Sequence, residues 1–256
     1  MNRAIYPILS GAIAQERQLQ VFANNLANVN TAGFKQDEQT FHTLLGRAGL
    51  AAPASLDGSG LAESMMTRPA GSSERVFVQP HVLSTSFEAG RIRITGNPLD
   101  LAVDGSGFFE VQTPQGPRYT RSGMFSLDSK RRLVSNLGYP VMGLKGEIKI
   151  PPGTIHIDNE GAIQVDGKPV GTLKVVEFVP EKMPQKHMEG LFAGGQPQTA
   201  AHPRVQSGHI EESNVNALGE MVKMIQGMRS YESAQKLMQT LDRMAETAIH
   251  DVGRVQ

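Results

Sequence analysis

The chain has 256 residues, which allows one or two domains, and its 25 basic and 25 acidic side chains give a formal net charge of zero. The absence of a basic excess argues against binding to nucleic acid through phosphate contacts, and the absence of cysteine excludes disulfides, thiolate metal sites and cysteine nucleophiles. No apolar run approaches the roughly 18–20 residues of a transmembrane helix, so we do not expect a membrane-embedded protein.

The N-terminus predicts an α-helix with one apolar seam. Steps of three and four connect its positions, interrupted only at Gln15, and the seam residues are Ile5, Ile8, Ala12, Leu19, Phe22 and Leu26. The segment around Ala12-Ile13-Ala14 also resembles the cleavage site of a signal peptide. Because the seam continues through this site, we favour a helix of the mature chain, ending near the Asn- and Gly-rich residues 24–33.

The centre of the chain, from about Val76 to Gly208, predicts an antiparallel β domain. Apolar positions alternate in short runs, among them Leu99/Leu101/Val103, Phe109/Val111, Phe125/Leu127, Ile148/Ile150, Ile155/Ile157 and Ile163/Val165. Asp166-Gly167 is the dipeptide that a type I′ hairpin turn prefers. Residues 48–73, rich in Gly, Ala, Ser and Pro, predict an extended linker, and the polar segment 185–208 predicts a loop.

The C-terminus predicts a second helix, capped by Ser213 or Asn214 and with Glu220 in its early turns. Its apolar residues form two heptad stripes offset by one residue. The predicted seam consists of Met221, Met224, Ile225, Met228, Tyr231, Leu237, Met238, Leu241 and Met244.

These elements predict an α+β fold in which the two terminal helices pair as a coiled-coil-like domain and a central all-β domain lies between them. The narrow stripes favour this pairing because neither helix is apolar enough to be a core helix by itself. The predicted domains are residues 1–33 with 212–256 (terminal helical), 34–75 (linker or extended segment) and 76–211 (β-rich).

A search for catalytic and ligand-binding patterns gives no site. The glycines at 161 and 167 lack the spacing of a phosphate loop, and the seven histidines form no close pair. Asp100 and Asp104 share one face of a strand, where turn capping is the favoured interpretation. We therefore expect no enzyme activity, cofactor, metal ion or small-molecule substrate. Lys130-Arg131-Arg132 predicts a solvated hairpin tip, or a contact to an acidic neighbour.

Three segments together resemble the bacterial flagellar rod and hook proteins. Near the N-terminus the motif is Asn24-Asn25-Leu26-Ala27-Asn28, continued by Gly33-Phe34-Lys35. The centre contributes residues 99–109, 119–123 and 133–134, and the C-terminus contributes residues 213–216, 220–225 and 229–232. Arg131 is a departure, because the family usually has glycine at this position of the turn.

The resemblance implies a structural component of the basal-body rod that assembles with copies of itself and with other axial proteins to transmit torque. It also implies export through the flagellar type III apparatus without signal-peptide cleavage, and a location in the basal body. Ala4-Ile5-Tyr6 and the modest length are most similar to the proximal-rod (F-type) members, with distal-rod (G-type) or related axial members as the alternative. An alternative of another class is a Sec-exported β-rich binding module cleaved after Ala14.

Overall fold

A computed structural model of the chain describes residues 5–46, 75–179, 182–187 and 190–253. The predicted linker at 48–73 lies outside these residues, while residues 37–46 of the longer predicted extended segment form a strand. The described residues contain two helices, α1 (Ile5–Ala27) and α2 (Ala217–Gly253), and many antiparallel strands between them. The α+β class predicted from the sequence is confirmed.

Asparagine side chains bond the free backbone groups at the C-terminal end of α1 and at the N-terminal start of α2. At the end of α1 the side-chain amide of Asn28 donates to the carbonyl of Asn24 (2.9 Å). At the start of α2 the Oδ1 of Asn216 accepts from the backbone N–H of Gly219 (3.1 Å), so Asn216 is the N-cap. The predicted cap at Ser213 or Asn214 is therefore wrong, because the Oδ1 of Asn214 already accepts a hydrogen bond from another part of the chain.

The strands are short, and most belong to the central part of the chain. In chain order they are β1 (Asp37–Gly46), β2 (Arg75–Thr85), β3 (Ile92–Ile94), β4 (Leu101–Val103), β5 (Phe108–Thr113), β6 (Gly116–Thr120), β7 (Phe125–Leu127), β8 (Leu133–Ser135), β9 (Met142–Gly143), β10 (Gly146–Glu147), β11 (Ile155–Ile157), β12 (Ala162–Val165), β13 (Lys168–Thr172), β14 (Val175–Phe178), β15 (Gln185–Lys186), β16 (Leu191–Ala193), β17 (Pro197–Thr199), β18 (Val205–Ser207) and β19 (His209–Glu211).

The largest sheet has the order β15-β16-β6-β5-β14-β17 and is antiparallel. A second antiparallel sheet has the order β11-β12-β13, and the remaining strands pair two by two: β1 with β2, β3 with β19, β4 with β18, β7 with β8 and β9 with β10. The turn between β12 and β13 has positive φ at both Asp166 (50°) and Gly167 (76°), as a type I′ turn requires. The hairpin predicted there is confirmed.

Segment 185–208 is not the loop that its polar composition predicts, because it contains β15, β16, β17 and β18. Leu191, Phe192 and Val205 are buried, so this segment contributes to the core. The strands β15 and β17 lie at the two edges of the six-stranded sheet, where exposed polar residues and Pro197 are tolerated. Edge strands carry a weak apolar pattern, and this explains the wrong prediction.

Two apolar clusters use opposite faces of β5. Phe109 and Val111 point into the main core, which also contains Leu133, Ile150 and Ile163. The second cluster is aromatic and lies around Phe108, with Tyr119, Val176, Phe178 and Phe192. Because both faces of this strand are covered, neighbouring residues along it are buried, unlike in a strand with one solvated face.

The chain divides into two compact units, which we describe separately. Of the described residues, the terminal unit holds 5–21, 39–46, 75–83 and 223–253. The central unit holds 22–38, 84–179, 182–187 and 190–222, so it includes the last turn of α1 and the first turn of α2. The domain boundaries predicted from the sequence stay a prediction.

Candidate assembly site

One face of α1 is shielded from solvent, and the predicted seam lies on it. Side-chain burial is described from Ile8 onward; Ala12 is buried, and Ile8, Leu19, Phe22 and Leu26 are half-buried. Leu9 and Ile13 lie on the other side and are exposed apolar residues. The first helix therefore has one covered apolar face and one small exposed apolar patch. Ile5 begins the helix, and its side chain lies outside the described burial.

The residues of the predicted C-terminal seam lie on two faces of α2, one shielded from solvent and one exposed. The shielded positions recur at steps of three and four: Glu220, Met224, Gly227, Tyr231, Ala234, Met238 and Leu241. The other predicted seam residues are between 45% and 62% exposed: Met221, Ile225, Met228, Leu237 and Met244. The structure thus shows one covered heptad seam and, beside it, apolar side chains that the isolated chain leaves in solvent.

Asn25, the second residue of the N-terminal motif, is completely buried and uses both ends of its amide. Its Nδ2 donates to the carbonyl of Asp37 (2.9 Å) and to Oε2 of Glu220 (3.2 Å), and its Oδ1 accepts from the N–H of Asp37 (3.0 Å). Gln36 donates to the other carboxylate oxygen of Glu220 (3.0 Å). This network connects the last turn of α1 to the first turn of α2 within the central unit.

The other motif residues lie at the C-terminal end of α1 and in the segment that follows it. Asn28 accepts from the hydroxyl of Thr31 (3.1 Å), while Asn24 and Ala27 have exposed side chains. Gly33 has φ +70°, and a Cβ there would overlap the backbone nitrogen of Ser122. Only glycine fits this close approach without strain.

Phe34 is buried, and its ring lies against the charged end of a lysine side chain. The Nζ of Lys186 lies 3.6 Å from the centroid of the Phe34 ring, 2.8 Å from Oδ2 of Asp37 and 2.9 Å from the carbonyl of Lys35. Burial lowers the pKa of Lys186, while the Asp37 carboxylate acts in the opposite direction. The aromatic ring and the lysine together hold the segment that follows α1.

A buried cluster of three charged side chains lies next to this segment. Lys35 is 1% exposed, Glu211 2% and Arg121 4%. The Nζ of Lys35 is 2.7 Å from Oε1 of Glu211, and the Nε of Arg121 is 2.8 Å from Oε2, although this second pair lacks the alignment of a hydrogen bond. Burial, with a smaller contribution from the Arg121 charge, lowers the pKa of Lys35 and outweighs the attraction of Glu211.

Backbone groups complete the three-charge cluster. Lys35 also donates to the carbonyl of Glu88 (2.6 Å), and the N–H of Gly90 donates to Oε1 of Glu211 (2.8 Å). The guanidinium of Arg121 donates to the carbonyls of Gly105 (2.7 Å) and Gly107. The sequence analysis did not single out this cluster. Lys35 and Arg121 belong to the resembling segments, but no local pattern pairs them with Glu211.

The two arginines of the predicted basic tip make contacts within their own turn and with residues 147–151. Arg131 has φ +60° and donates from its guanidinium to the carbonyls of Ile150 (2.9 Å) and Pro151 (2.8 Å). Arg132 pairs with Asp128 (2.8 Å) and Glu147 (3.3 Å), whereas Lys130 is exposed. The backbone N–H of Arg132 is the main cause of the lowered pKa of Asp128.

Among the residues that the structure describes, the two candidate carboxylates are held by different neighbours. Asp100 accepts from Asn97 (3.1 Å), and Asp104 lies 3.7 Å from Arg204, so these two carboxylates take separate partners. Within the same part of the chain, no group of three or more His, Asp or Glu side chains could hold a metal ion. No helix among the residues described is long and apolar enough to cross a membrane.

Three family models match the chain in order. Residues 5–35 match "Flagella basal body rod protein", residues 102–165 match "Flagellar hook protein FlgE/F/G D1 domain", and residues 206–250 match "Flagellar basal body rod FlgEFG protein C-terminal". The first match includes the Asn25 motif and Lys35, and the third includes Glu211 and the covered seam of α2.

Curated relatives match over nearly the whole length. The chain is 32% identical to the flagellar basal-body rod protein FlgF of Caulobacter vibrioides, with all of both chains covered. It is 30% identical to FlgG of Bacillus subtilis, covering 98% of this chain and 99% of the relative, and 34% identical to FlgG of Buchnera aphidicola subsp. Acyrthosiphon pisum, covering 93% and 95%. The resemblance predicted from the motifs is confirmed: the chain belongs to the flagellar basal-body rod protein family.

Proposed function

We propose that the chain is a structural subunit of the proximal flagellar rod, which assembles with copies of itself and with other axial proteins to transmit torque. The observation that carries this proposal is the pair of terminal helices, each of which has a covered apolar face and further exposed apolar side chains. Exposed apolar patches of this kind mark contact surfaces. Family membership supplies the kind of assembly in which such surfaces are used.

The assembly proposal assigns the seam to pairing between α1 and α2. The covered residues of α1 include Ala12 and Leu19, and those of α2 include Met224, Tyr231 and Leu241. Their spacing of three and four residues suits left-handed packing of two helices. Residues 1–33 and 212–256 would then form the inner part of the rod, with the β-rich residues 76–211 outside.

Two substitutions test the seam. Burial of a leucine contributes about 1.5–3 kcal/mol, and a carboxylate in the same place is costlier still. We expect Leu19→Asp and Leu241→Asp each to abolish rod completion and motility. Matched controls are Gln20→Asp and Gln239→Asp, which place the same charge on exposed positions of the same helices and should leave motility intact.

The measurements are swimming in soft agar, the rods seen by electron microscopy of isolated basal bodies, and the thermal transition of the purified chain. Normal rods in both leucine variants would show that the covered faces are not the assembly seam. A much earlier thermal transition would show that these helices belong to the folding core of the monomer.

The distal rod is the second candidate position, because the FlgG relatives are as similar to the chain as the FlgF relatives are. Complementation separates the two positions. We expect the chain to restore swimming to a host that lacks its own F-type rod protein. Restoration only in a host that lacks the G-type protein would assign the chain to the distal rod.

The location follows from the same proposal: the chain resides in the basal body after passage through the flagellar export apparatus, without cleavage. The intact mass of the chain recovered from basal bodies tests this route. Loss of the residues up to Ala14 would instead support the Sec-exported binding module.

A further inference from the structure

The segment that follows α1 is held by polar groups from three distant parts of the chain. Residues 33–37 lie against residues 86–90, residues 211–214 and Arg121, and we call this arrangement the junction. The N–H of Gly33 donates to the carbonyl of Glu211 (2.8 Å), and the N–H of Gln36 donates to Oδ1 of Asn214 (2.7 Å). Asn214 in turn donates to the carbonyl of Ser86 (3.1 Å).

The junction differs chemically from the two cores of the β-rich part. Those cores are apolar and aromatic, and none of Lys35, Arg121 and Glu211, which form the three-charge cluster of the junction, belongs to them. A buried polar network is strong only while every member has its partner, because an unpaired member is left without compensation. The least apolar part of a fold also tends to open before its apolar core does. Within the junction, residues 33–37 are held mainly by polar contacts, whereas Phe87 of residues 86–90 packs against the aromatic cluster.

The three-charge cluster carries one net positive charge with Glu211 ionised and would carry two without it. Lys35 and Arg121 each contribute one positive charge, and Glu211 contributes the negative charge placed between them. Backbone carbonyls accept from both cations, but a carbonyl carries no net charge. If Glu211 were neutral, two buried cations would face each other with no counter-ion among their described contacts, and removal of one partner from a buried ion pair is strongly destabilising.

We propose that Glu211 is the counter-ion of a latch that keeps the junction closed. With Glu211 ionised, residues 33–37 stay docked between residues 86–90 and 211–214, and the last turn of α1 and the first turn of α2 are held in one place in the central unit. Without this charge the junction opens while both cores stay folded. Because Lys35 follows α1, Arg121 follows β6 and Glu211 lies in β19, the latch closes only when all three segments are in place.

Amide hydrogen exchange in the purified full-length chain tests the latch. The junction reporters are the amides of Gly33, Gln36 and Gly90, and the core reporters are those of Val141 and Leu173, which donate to backbone carbonyls in the β-rich part. Glu211→Gln keeps the shape of the side chain and removes its charge. We expect it to speed exchange of the junction amides by about a hundredfold or more while the core amides change little.

Glu212→Gln is the matched control, because the next residue pairs with Arg93 on the surface. It should leave the junction amides nearly unchanged, since exposed ion pairs contribute little. A rescue separates charge from packing: adding Lys35→Met to Glu211→Gln removes one of the two uncompensated cations, and should slow junction exchange again by about tenfold.

Two results would overturn the proposal. If Glu211→Gln accelerates the core amides as much as those of the junction, the central unit opens as one body and there is no latch. If it has no more effect than Glu212→Gln, its charge does not hold the junction closed. Should Glu211→Gln fail to fold, the double variant Glu211→Gln with Lys35→Met provides the test, with exchange at Gly33 and Gly90 expected to be faster than in the parent chain and the core amides unchanged. None of these readings depends on rod assembly, so failure of the proposed function leaves them interpretable.

Discussion

Arg131 occupies a backbone conformation that favours glycine, and this makes its turn a sensitive test of the structure. Its φ is +60°, and Gly161 has φ +77° at the same position of a second turn. In the first turn Oδ1 of Asp128 accepts from the N–H groups at positions 130 and 132 (2.9 and 2.8 Å). In the second, Oδ1 of Asp158 accepts from the N–H groups at 160 and 162 (3.0 and 2.8 Å). The two turns are therefore equivalent, and one has arginine where the other has glycine.

Arg131→Gly and Arg131→Ala separate the backbone effect from the side-chain effect. Both remove the hydrogen bonds to Ile150 and Pro151, each worth about 0.5–1.5 kcal/mol. The alanine variant keeps the left-handed strain of about 1–2 kcal/mol. The glycine variant avoids this strain, but its greater freedom in the unfolded chain costs about 0.5–1 kcal/mol. We expect the glycine variant to be more stable than the alanine variant by about 1 kcal/mol, and less stable than the parent chain by at most about 2 kcal/mol.

Thermal unfolding followed by circular dichroism measures this difference, which corresponds to about 2–4 °C for a unit of this size. Gly161→Ala should lose stability, since it gains the strain and its Cβ would lie 3.3 Å from the Cβ of Leu173. Lys130→Ala, at an exposed position of the same turn, should change the melting temperature very little. An alanine variant at 131 as stable as the glycine variant would refute the left-handed assignment.

Three further predictions concern the central unit. In a urea titration, Gly123→Ala should lower the free energy of unfolding by about 3 kcal/mol or more, because its Cβ would overlap the carbonyl of Leu101. The control Gly171→Ala should lower it by less than about 1 kcal/mol, because the atom nearest to its Cβ would be 4.0 Å away. Asn25→Ala should cost about 2–4 kcal/mol in that assay because it leaves buried polar groups unpaired, and an unchanged midpoint would contradict its burial. The pKa of Lys35 is lowered in the folded chain, so just below pH 10.5 the folded form binds fewer protons than the unfolded form. The free energy of unfolding of the parent chain should therefore rise relative to that of Lys35→Met as the pH rises towards 10.5. A falling difference would show that folding favours the charged lysine.

The sequence by itself determined the features that depend on neighbouring residues. Heptad spacing identified α1 and α2 because a helix repeats its faces every 3.6 residues, whatever packs against them. The hairpin at Asp166-Gly167 could be predicted because the turn type depends on the φ angles that two residues tolerate. The order of motifs along the chain was sufficient for the family resemblance.

Tertiary structure alone decided which apolar stripe of α2 is covered and where the polar edge strands lie. Met221 and Met224 are equally apolar, and only the surrounding chain leaves the first exposed and half-buries the second. Strand β17 has no apolar pattern of its own, and its pairing with β14 makes it a strand. Such outcomes depend on partners that a local pattern cannot contain.

The three-charge cluster is the clearest case. Lys35 and Glu211 are separated by 176 positions, and nothing in the residues next to either one indicates the other. Read locally, a charged residue predicts a solvated surface. The fold instead removes these side chains from water, and they are compatible with burial because the chain brings a carboxylate and several backbone carbonyls to two cations. Sequence periodicity reports which way a residue faces on its own element, whereas the energetics of a buried charge depend on which distant groups the fold places beside it.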